Sequence, residues 1–285
     1  MSSAFEEVRL RLPHMEVAAH LYGPEDGKPV IALHGWLDNA ASFSRLAPLL
    51  KGVRIAALDL PGHGLSDHRP LGAGYNIWDY AYDILQAAEQ FGWQRFSLLG
   101  HSLGAIVSVL LAGAMPERIE RLALIDGVIP YTGEADTAPQ KLGDALRALL
   151  AVERKRKPVY ASFDQAVAAR MKGVGAVSRE AAERLAQRGL MPVPGGYTWR
   201  TDPRLMLPSP MRLSRAHALA FAQRVACPTS LIVAEQGLMN APEMMEIIES
   251  LPLAVHRLRG GHHLHLDDDD GATAIAAVFN PFFMS

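Results

Sequence analysis

The stretch FSLLGHSLG, residues 96–104, decides the fold of this 285-residue chain. Its first four residues are a short apolar run that ends at a glycine, and a longer apolar run follows at residues 105–111. A short run with such a boundary is typical of a buried strand, whereas the longer run continues as a helix. The stretch therefore predicts a strand, a sharp turn and a helix, with Ser102 at the turn.

The glycines on either side of Ser102 fit this turn. A side chain at Gly100 or Gly104 would collide with the neighbouring strand or helix. The serine hydroxyl would then stand over the sheet edge, at a helix N-terminus whose amides favour developing negative charge. Such a position suits a nucleophile. An ordinary strand-to-helix turn that contains serine is the alternative interpretation.

Strands and helices alternate on both sides of the turn. Predicted strands fall at residues 8–12, 16–22, 30–33, 53–58, 96–99, 121–125, 229–234 and 255–258. Predicted helices fall at residues 42–50, 76–91, 105–111, 243–251 and 271–283. This alternation predicts an α/β protein with a mostly parallel central sheet flanked by helices. Asp267–Asp270 directly precede the last helix, so we interpret them as a helix start rather than a metal site.

Residues 130–224 interrupt the alternation. Helices are predicted at residues 141–152, 166–171 and 178–187, and Ser162 and Ser178 are candidate caps. Glycines and prolines predict loops at residues 192–210, and no buried strand is expected. We therefore predict a helical cap, residues 130–224, inserted after the sixth strand of a core formed by residues 1–129 and 225–285.

Composition narrows the classes of protein. Hydrophobic residues make up 49% of the chain, and the formal net charge of −2 gives no electrostatic footprint for nucleic acid. The single cysteine, Cys227, excludes an intramolecular disulfide and fits a reducing compartment. Residues 1–12 lack the apolar core of a secretory signal, and no apolar run approaches a membrane span. We expect a cytoplasmic protein; the oligomeric state is left open.

Four motifs lie at the ends of predicted strands. They are His34-Gly35-Trp36, DLPGHGLS at residues 59–66, GHSLG at residues 100–104, and Gly261-His262. With them, nearly the whole chain resembles the α/β-hydrolase superfamily. The run HGWLDNA at residues 34–40, followed by Ser42 and Phe43, is most similar to the serine hydrolase-like branch. The resemblance implies an α/β-hydrolase fold that needs no metal or organic cofactor.

The resemblance also implies a role for individual residues. Ser102 would be the nucleophile, and His262 would be the general base that takes its proton. The backbone N–H groups of Trp36 and Leu103 would form the oxyanion hole, where each donor typically contributes about 3–4 kcal/mol to the transition state. His263 would point elsewhere, because consecutive side chains diverge.

The acid of the triad departs from the common pattern. Many members carry an aspartate shortly after the strand equivalent to residues 229–234, as Gly-Glu-x-Asp. Here residues 234–237 read AEQG, with glycine in place of that aspartate. Two carboxylates remain: Asp126, at a strand end where some members place their acid, and Glu235. We predict that Asp126 orients His262, with Glu235 as the alternative.

The inserted segment offers apolar candidates for substrate binding. Trp199, Met206 and Met211 would line a pocket beneath the cap, although packing within the cap is the alternative role for each. These side chains favour a small to medium, mainly apolar acyl substrate.

The sequence thus predicts a serine hydrolase that cleaves an ester or related acyl bond through an acyl-enzyme. The same residues would also support acyl transfer or C–C bond hydrolysis, which sequence does not separate from ester cleavage. A non-catalytic ligand-binding or scaffold protein is a further alternative, since fold does not fix function. The glycine in place of the usual acid favours that alternative, whereas the intact Ser102 and His262 argue against it.

Overall fold

A computed structural model describes residues 5–152, 156–173 and 175–285 of the chain. The strands are β1 (Glu6–Arg11), β2 (Glu16–Tyr22), β3 (Lys28–Leu33), β4 (Val53–Leu58), β5 (Phe96–His101), β6 (Ile119–Ile125), β7 (Leu190–Val193), β8 (Gly196–Trp199), β9 (Thr229–Gln236) and β10 (Ala254–Gly261). The α-helices are α1 (Asp79–Gln90), α2 (Leu103–Ala114), α3 (Ala138–Val152), α4 (Phe163–Met171), α5 (Arg179–Gly189), α6 (Arg215–Gln223), α7 (Pro242–Glu249), α8 (Leu264–Asp267) and α9 (Asp269–Met284).

Within these ranges, eight strands form one sheet in the order β1-β2-β4-β3-β5-β6-β9-β10. Strand β2 runs antiparallel to both of its neighbours, and the pairs from β4 to β10 are parallel. The central strand β3 is buried on both faces, with Ile31 and Leu33 in one apolar cluster and Val30 and Ala32 in the other. Parallel sheets are buried in this way when crossover helices cover both faces. The predicted mostly parallel sheet is confirmed.

The helix predicted at residues 42–50 is wrong. Two short 3₁₀ turns, Ala40–Phe43 and Ala47–Leu49, lie there instead. Asn39 begins the first turn by accepting a hydrogen bond from the backbone N–H of Ala41. Pro48 has no N–H to donate back along a continuous helix, so the segment divides into two turns.

The segment between β6 and β9 carries α3, α4, α5 and α6, and we call its residues 130–224 the insert. The side chains of Ser162 and Ser178 cap α4 and α5, as predicted. The stretch predicted to be loop-rich, with no buried strand, also holds a short hairpin in which the partly exposed strands β7 and β8 pair antiparallel. Its turn is at Pro194 and Gly195, and Gly195 has φ = 90°, a conformation that favours glycine.

The last helix begins as predicted at the run of aspartates. The side chain of Asp268 accepts a hydrogen bond from the backbone N–H of Gly271 and caps α9. Among the helices of the described ranges, none combines the length and apolarity needed to cross a membrane.

Candidate active site

Ser102 occupies the tight turn between β5 and α2, with φ = 52° and ψ = −113°. A Cβ atom added to Gly100 would lie 2.5 Å from the Cα of Ala105 in α2, and one added to Gly104 would lie 1.9 Å from the carbonyl oxygen of Leu33 in β3. The predicted collisions at both glycines are confirmed. The close approach of helix and strands is therefore possible only with glycine on both sides of Ser102.

Strained backbone concentrates near the ends of three neighbouring strands. In the described part of the chain, the non-glycine residues with positive φ are Leu37, Ser102 and Asp126. They lie just beyond the carboxyl ends of β3, β5 and β6, which are adjacent in the sheet. Such conformations cost about 1–3 kcal/mol each and cluster at functional sites. Ligands in open α/β sheets bind at this same edge.

His262 and Asp126 are joined by a short hydrogen bond. The distance from His262 Nδ1 to Asp126 Oδ2 is 2.6 Å, and the side chain of Asp126 is fully buried. A carboxylate only accepts, so Nδ1 is the donor, and Nε2 of the neutral tautomer with this bond keeps its lone pair. The backbone N–H groups of Leu238 and Ala234 also donate to Asp126, at 2.8 and 3.3 Å, and fix the carboxylate.

Gly237 makes room for that carboxylate. A Cβ atom at Gly237 would lie 2.3 Å from Asp126 Oδ2, which is too close for any side chain. Glu235, two residues earlier, is exposed at the end of β9. The structure thus brings Asp126 to His262, leaves Glu235 at the surface, and gives a steric reason for glycine at position 237.

Trp36 and Leu103 are the two residues predicted for the oxyanion hole. Leu103 is the first residue of α2. Trp36 lies in the loop after β3, and its indole Nε1 donates to the carbonyl of Leu205 in the insert, at 3.0 Å. Within the described ranges, neither backbone N–H donates to a protein acceptor.

His34 holds this loop from within the core. Its Nδ1 donates to the carbonyl of Gly35 at 2.7 Å, and its Nε2 accepts from the N–H of Leu60 at 3.0 Å. Burial lowers the pKa of His34, which keeps the ring neutral. A neutral ring supplies the one donor and one acceptor that these contacts need.

Sequence reasoning missed a buried carboxylate, Asp38, beside these loops. Its Oδ1 accepts from Arg170 Nη2 at 2.7 Å, and its Oδ2 accepts from His263 Nε2 at 3.0 Å. Burial by itself would raise the pKa of Asp38, but His263 and Arg170 hold it well below its ordinary value. No local signal marks this contact, because Arg170 lies far along the chain in α4.

His101 lies beside Asp38 and His263. Its Nε2 lies 2.9 Å from the carbonyl oxygen of His262, and burial, together with the neighbouring His265, holds the pKa of His101 well below its ordinary value. Ligand atoms of Asp38, His101 and His263 lie within 4.8 Å of one another. We assign no cation there, because the guanidinium of Arg170 already neutralises Asp38.

The three substrate-binding candidates lie in different surroundings. Trp199 packs in the insert, where a Cβ atom on Gly189 would lie 2.8 Å from its ring. Met206 and Met211 are 65% and 50% exposed. Met206 directly follows Leu205, whose carbonyl binds the Trp36 indole. Of the three, Met206 is therefore tied through its neighbour to the loop after β3.

Comparison with known families identifies the chain. The family described as alpha/beta hydrolase fold matches residues 28–269, which is most of the sequence. The chain belongs to the α/β-hydrolase family. Serine hydrolase-like protein 2 of Homo sapiens is 30% identical over 96% of this α/β-hydrolase and 93% of its own length. The predicted resemblance to the serine hydrolase-like branch is confirmed.

Two solved structures of α/β-hydrolase fold illustrate the likeness. The hypothetical protein PA1622 from Pseudomonas aeruginosa PAO1 is 70% identical and superposes with a TM-score of 0.97. The match covers 98% of this chain and 100% of the PA1622 chain. A thioesterase domain from the curacin biosynthetic pathway is 25% identical, with a TM-score of 0.82 over 99% of this chain and 100% of its own. The predicted α/β-hydrolase fold is confirmed.

Proposed function

We propose that this α/β-hydrolase cleaves an ester or related acyl bond with Ser102 as nucleophile, His262 as general base and Asp126 as the acid. The 2.6 Å hydrogen bond between His262 Nδ1 and Asp126 Oδ2 carries the proposal. It fixes the tautomer in which Nε2 accepts a proton, as a serine nucleophile requires.

The proposed reaction runs in two halves. Ser102 Oγ attacks the substrate carbonyl while His262 takes the hydroxyl proton, and Asp126 stabilises the imidazolium that forms. The N–H groups of Trp36 and Leu103 stabilise the oxyanion. His262 returns the proton to the leaving group, and the acyl group stays on Ser102. Water then attacks the acyl-enzyme with His262 again as base. This step releases the carboxylic acid product and restores the Ser102 hydroxyl.

The insert serves as the cap in this proposal, with residues 1–129 and 225–285 as the hydrolase core. We propose that Met206, next to the contact with Trp36, meets the acyl chain, with Met211 and Trp199 further along the cap. The substrate is then small to medium in size and mainly apolar. Because the curacin relative is called a thioesterase, thioesters belong beside oxygen esters in the test panel.

A fluorophosphonate probe tests the proposal without knowledge of the substrate. The purified protein, Ser102→Ala and His262→Ala are incubated with the probe, and circular dichroism verifies that each is folded. Labelling of the wild type that disappears in both variants is expected. A folded wild type that stays unlabelled would contradict catalysis and favour a ligand-binding protein. An ester and thioester panel then distinguishes hydrolysis from acyl transfer.

A further inference from the structure

One buried carboxylate joins the loops that hold the proposed catalytic groups. Asp38 lies in the loop of Trp36, two residues beyond the proposed oxyanion donor. Its Oδ2 accepts from His263, the neighbour of His262, and lies 3.9 Å from Nδ1 of His101, the neighbour of Ser102. The loops of the oxyanion hole, the base and the nucleophile therefore meet at one negative charge.

The positive partner of that charge comes from the insert. Arg170, in the last turn of α4, is 9% exposed at its side chain and donates to Asp38 Oδ1 at 2.7 Å. Its Nη1 donates to the carbonyl of Gly175 at 3.0 Å. A Cβ atom on Gly175 would lie 2.8 Å from His263 and 3.2 Å from His262, so this backbone rests directly on both imidazoles. Arg170 thus holds Asp38, which bonds His263, and the Gly175 backbone, which lies beside both His263 and His262.

His101 completes the support from below. Its Nε2 donates to the carbonyl oxygen of His262 at 2.9 Å, and its ring lies 4.7 Å from the ring of His262. The backbone of His262 is therefore held by His101, while its ring lies between the Gly175 backbone and the bond to Asp126. A displacement of Asp38 would therefore act on His263 and His101, the two rings that border His262.

We propose that Arg170 and Asp38 are a positioning pair through which the insert sets the geometry of His262 and of the oxyanion loop. The inference rests on the proposed function. In this proposal neither residue contacts the substrate. Both act through His262, His263 and Trp36. Misplacement of a catalytic group by 1 Å can cost about 100-fold in rate.

Steady-state kinetics on a matched set of variants test the pair. Arg170→Gln and Asp38→Asn each leave one buried partner alone, and each is expected to lower kcat about 10- to 100-fold with KM nearly unchanged. Arg170→Lys, which keeps the charge, should recover part of the loss. The double variant should be no slower than the slower single variant, because the two residues act as one unit.

Arg69→Gln supplies the control. Arg69 is likewise a largely buried arginine, 10% exposed at its side chain, and it donates to the buried carboxylate of Asp83 in α1. Both glutamine variants should lower Tm, since each breaks a buried ion pair. Only Arg170→Gln should lower kcat. Equal losses of kcat in both, or a lower Tm with unchanged kcat in Arg170→Gln, would overturn the proposal.

A second readout separates this inference from the proposed function. The Nδ1 proton of His262 can be followed by NMR in the presence or absence of activity. Arg170→Gln should shift or broaden this resonance, and Arg69→Gln should leave it in place. If the wild type shows no Ser102-dependent labelling, the proposed function fails, yet the NMR comparison still decides the pair. An unchanged resonance in Arg170→Gln would overturn it.

Discussion

The carboxyl ends of strands β6 and β9 lie side by side, and they differ in what they place near His262. A carboxylate follows β6, whereas a glycine follows β9. Asp126 directly follows strand β6, and its buried carboxylate bonds His262. Strand β9 ends at Gln236 beside the exposed Glu235, and Gly237 follows with no side chain. A side chain at position 237 would overlap the Asp126 carboxylate. Position 237 and position 126 thus compete for one volume beside the histidine.

In the proposed triad, this competition explains how Asp126 can supply the acid although the usual position holds glycine. The base needs a carboxylate at Nδ1, and either of two adjacent strand ends can supply one. Here the backbone N–H of Leu238, next to Gly237, donates to Asp126 at 2.8 Å. The loop after β9 therefore binds the proposed acid instead of providing one.

The largest expected effect comes from removal of the acid. Asp126→Asn keeps the shape of the side chain but favours the wrong tautomer of His262, and a comparable change in a Ser-His-Asp triad lowers kcat about 10⁴-fold. Glu235→Gln, on the exposed strand end, should change kcat less than about twofold. Steady-state hydrolysis of an activated ester measures both. A larger loss in Glu235→Gln than in Asp126→Asn would reverse the comparison.

A relocated acid sharpens the comparison further. In the double variant Asp126→Gly/Gly237→Asp, the new side chain enters the volume that the old one left. Gly237 has φ = −94° and ψ = −169°, which an aspartate adopts without strain, and glycine suits the φ of 45° at position 126. We expect kcat about 10- to 100-fold above that of Asp126→Gly alone, a partial recovery of the triad.

The recovery must depend on the position of the new carboxylate. Asp126→Gly/Glu235→Asp places an aspartate at the exposed position and should give no gain over Asp126→Gly. Equal kcat in the two double variants would contradict the account, because a carboxylate beside His262 would then be no more effective than one at the exposed position 235.

The smallest of these effects comes from crowding the acid without removing it. Gly237→Ala adds a Cβ atom 2.3 Å from the Asp126 carboxylate, so the carboxylate must shift. We expect kcat to fall about tenfold, since geometry at a triad tolerates little displacement. Gly74→Ala, whose Cβ atom would meet its nearest neighbour at 3.7 Å, is the control. Equal activity in both alanine variants would contradict the steric account.

Local sequence signals were sufficient for the sheet and for the turn at Ser102. Apolar runs of strand length and glycines at fixed offsets report on contacts within a few residues, and β2 and β4 begin and end where the pattern predicts. The helix predicted at residues 42–50 failed because apolar spacing hid the effect of Pro48. The β7–β8 hairpin was missed because its two short strands lie among residues typical of loops.

Contacts between distant segments were out of reach. The sequence indicates Asp126 and Glu235 as candidate acids but does not explain the glycine at position 237. The folded structure explains it, because a side chain there would overlap the Asp126 carboxylate. The ion pair between Asp38 and Arg170 has no signature at all, because it joins a core loop to a helix of the insert. Such pairs depend on the folded arrangement rather than on spacing along the chain.

The most direct test of the acid at β6 is an NMR measurement of the His262 Nδ1 proton. A proton held between this nitrogen and a buried carboxylate is shielded from exchange with water and gives a downfield resonance. The account predicts a resonance that is present in the wild type and in Glu235→Gln, and absent in His262→Ala and Asp126→Asn. Its persistence in Asp126→Asn, or its loss in Glu235→Gln, would contradict the assignment of Asp126 as the acid.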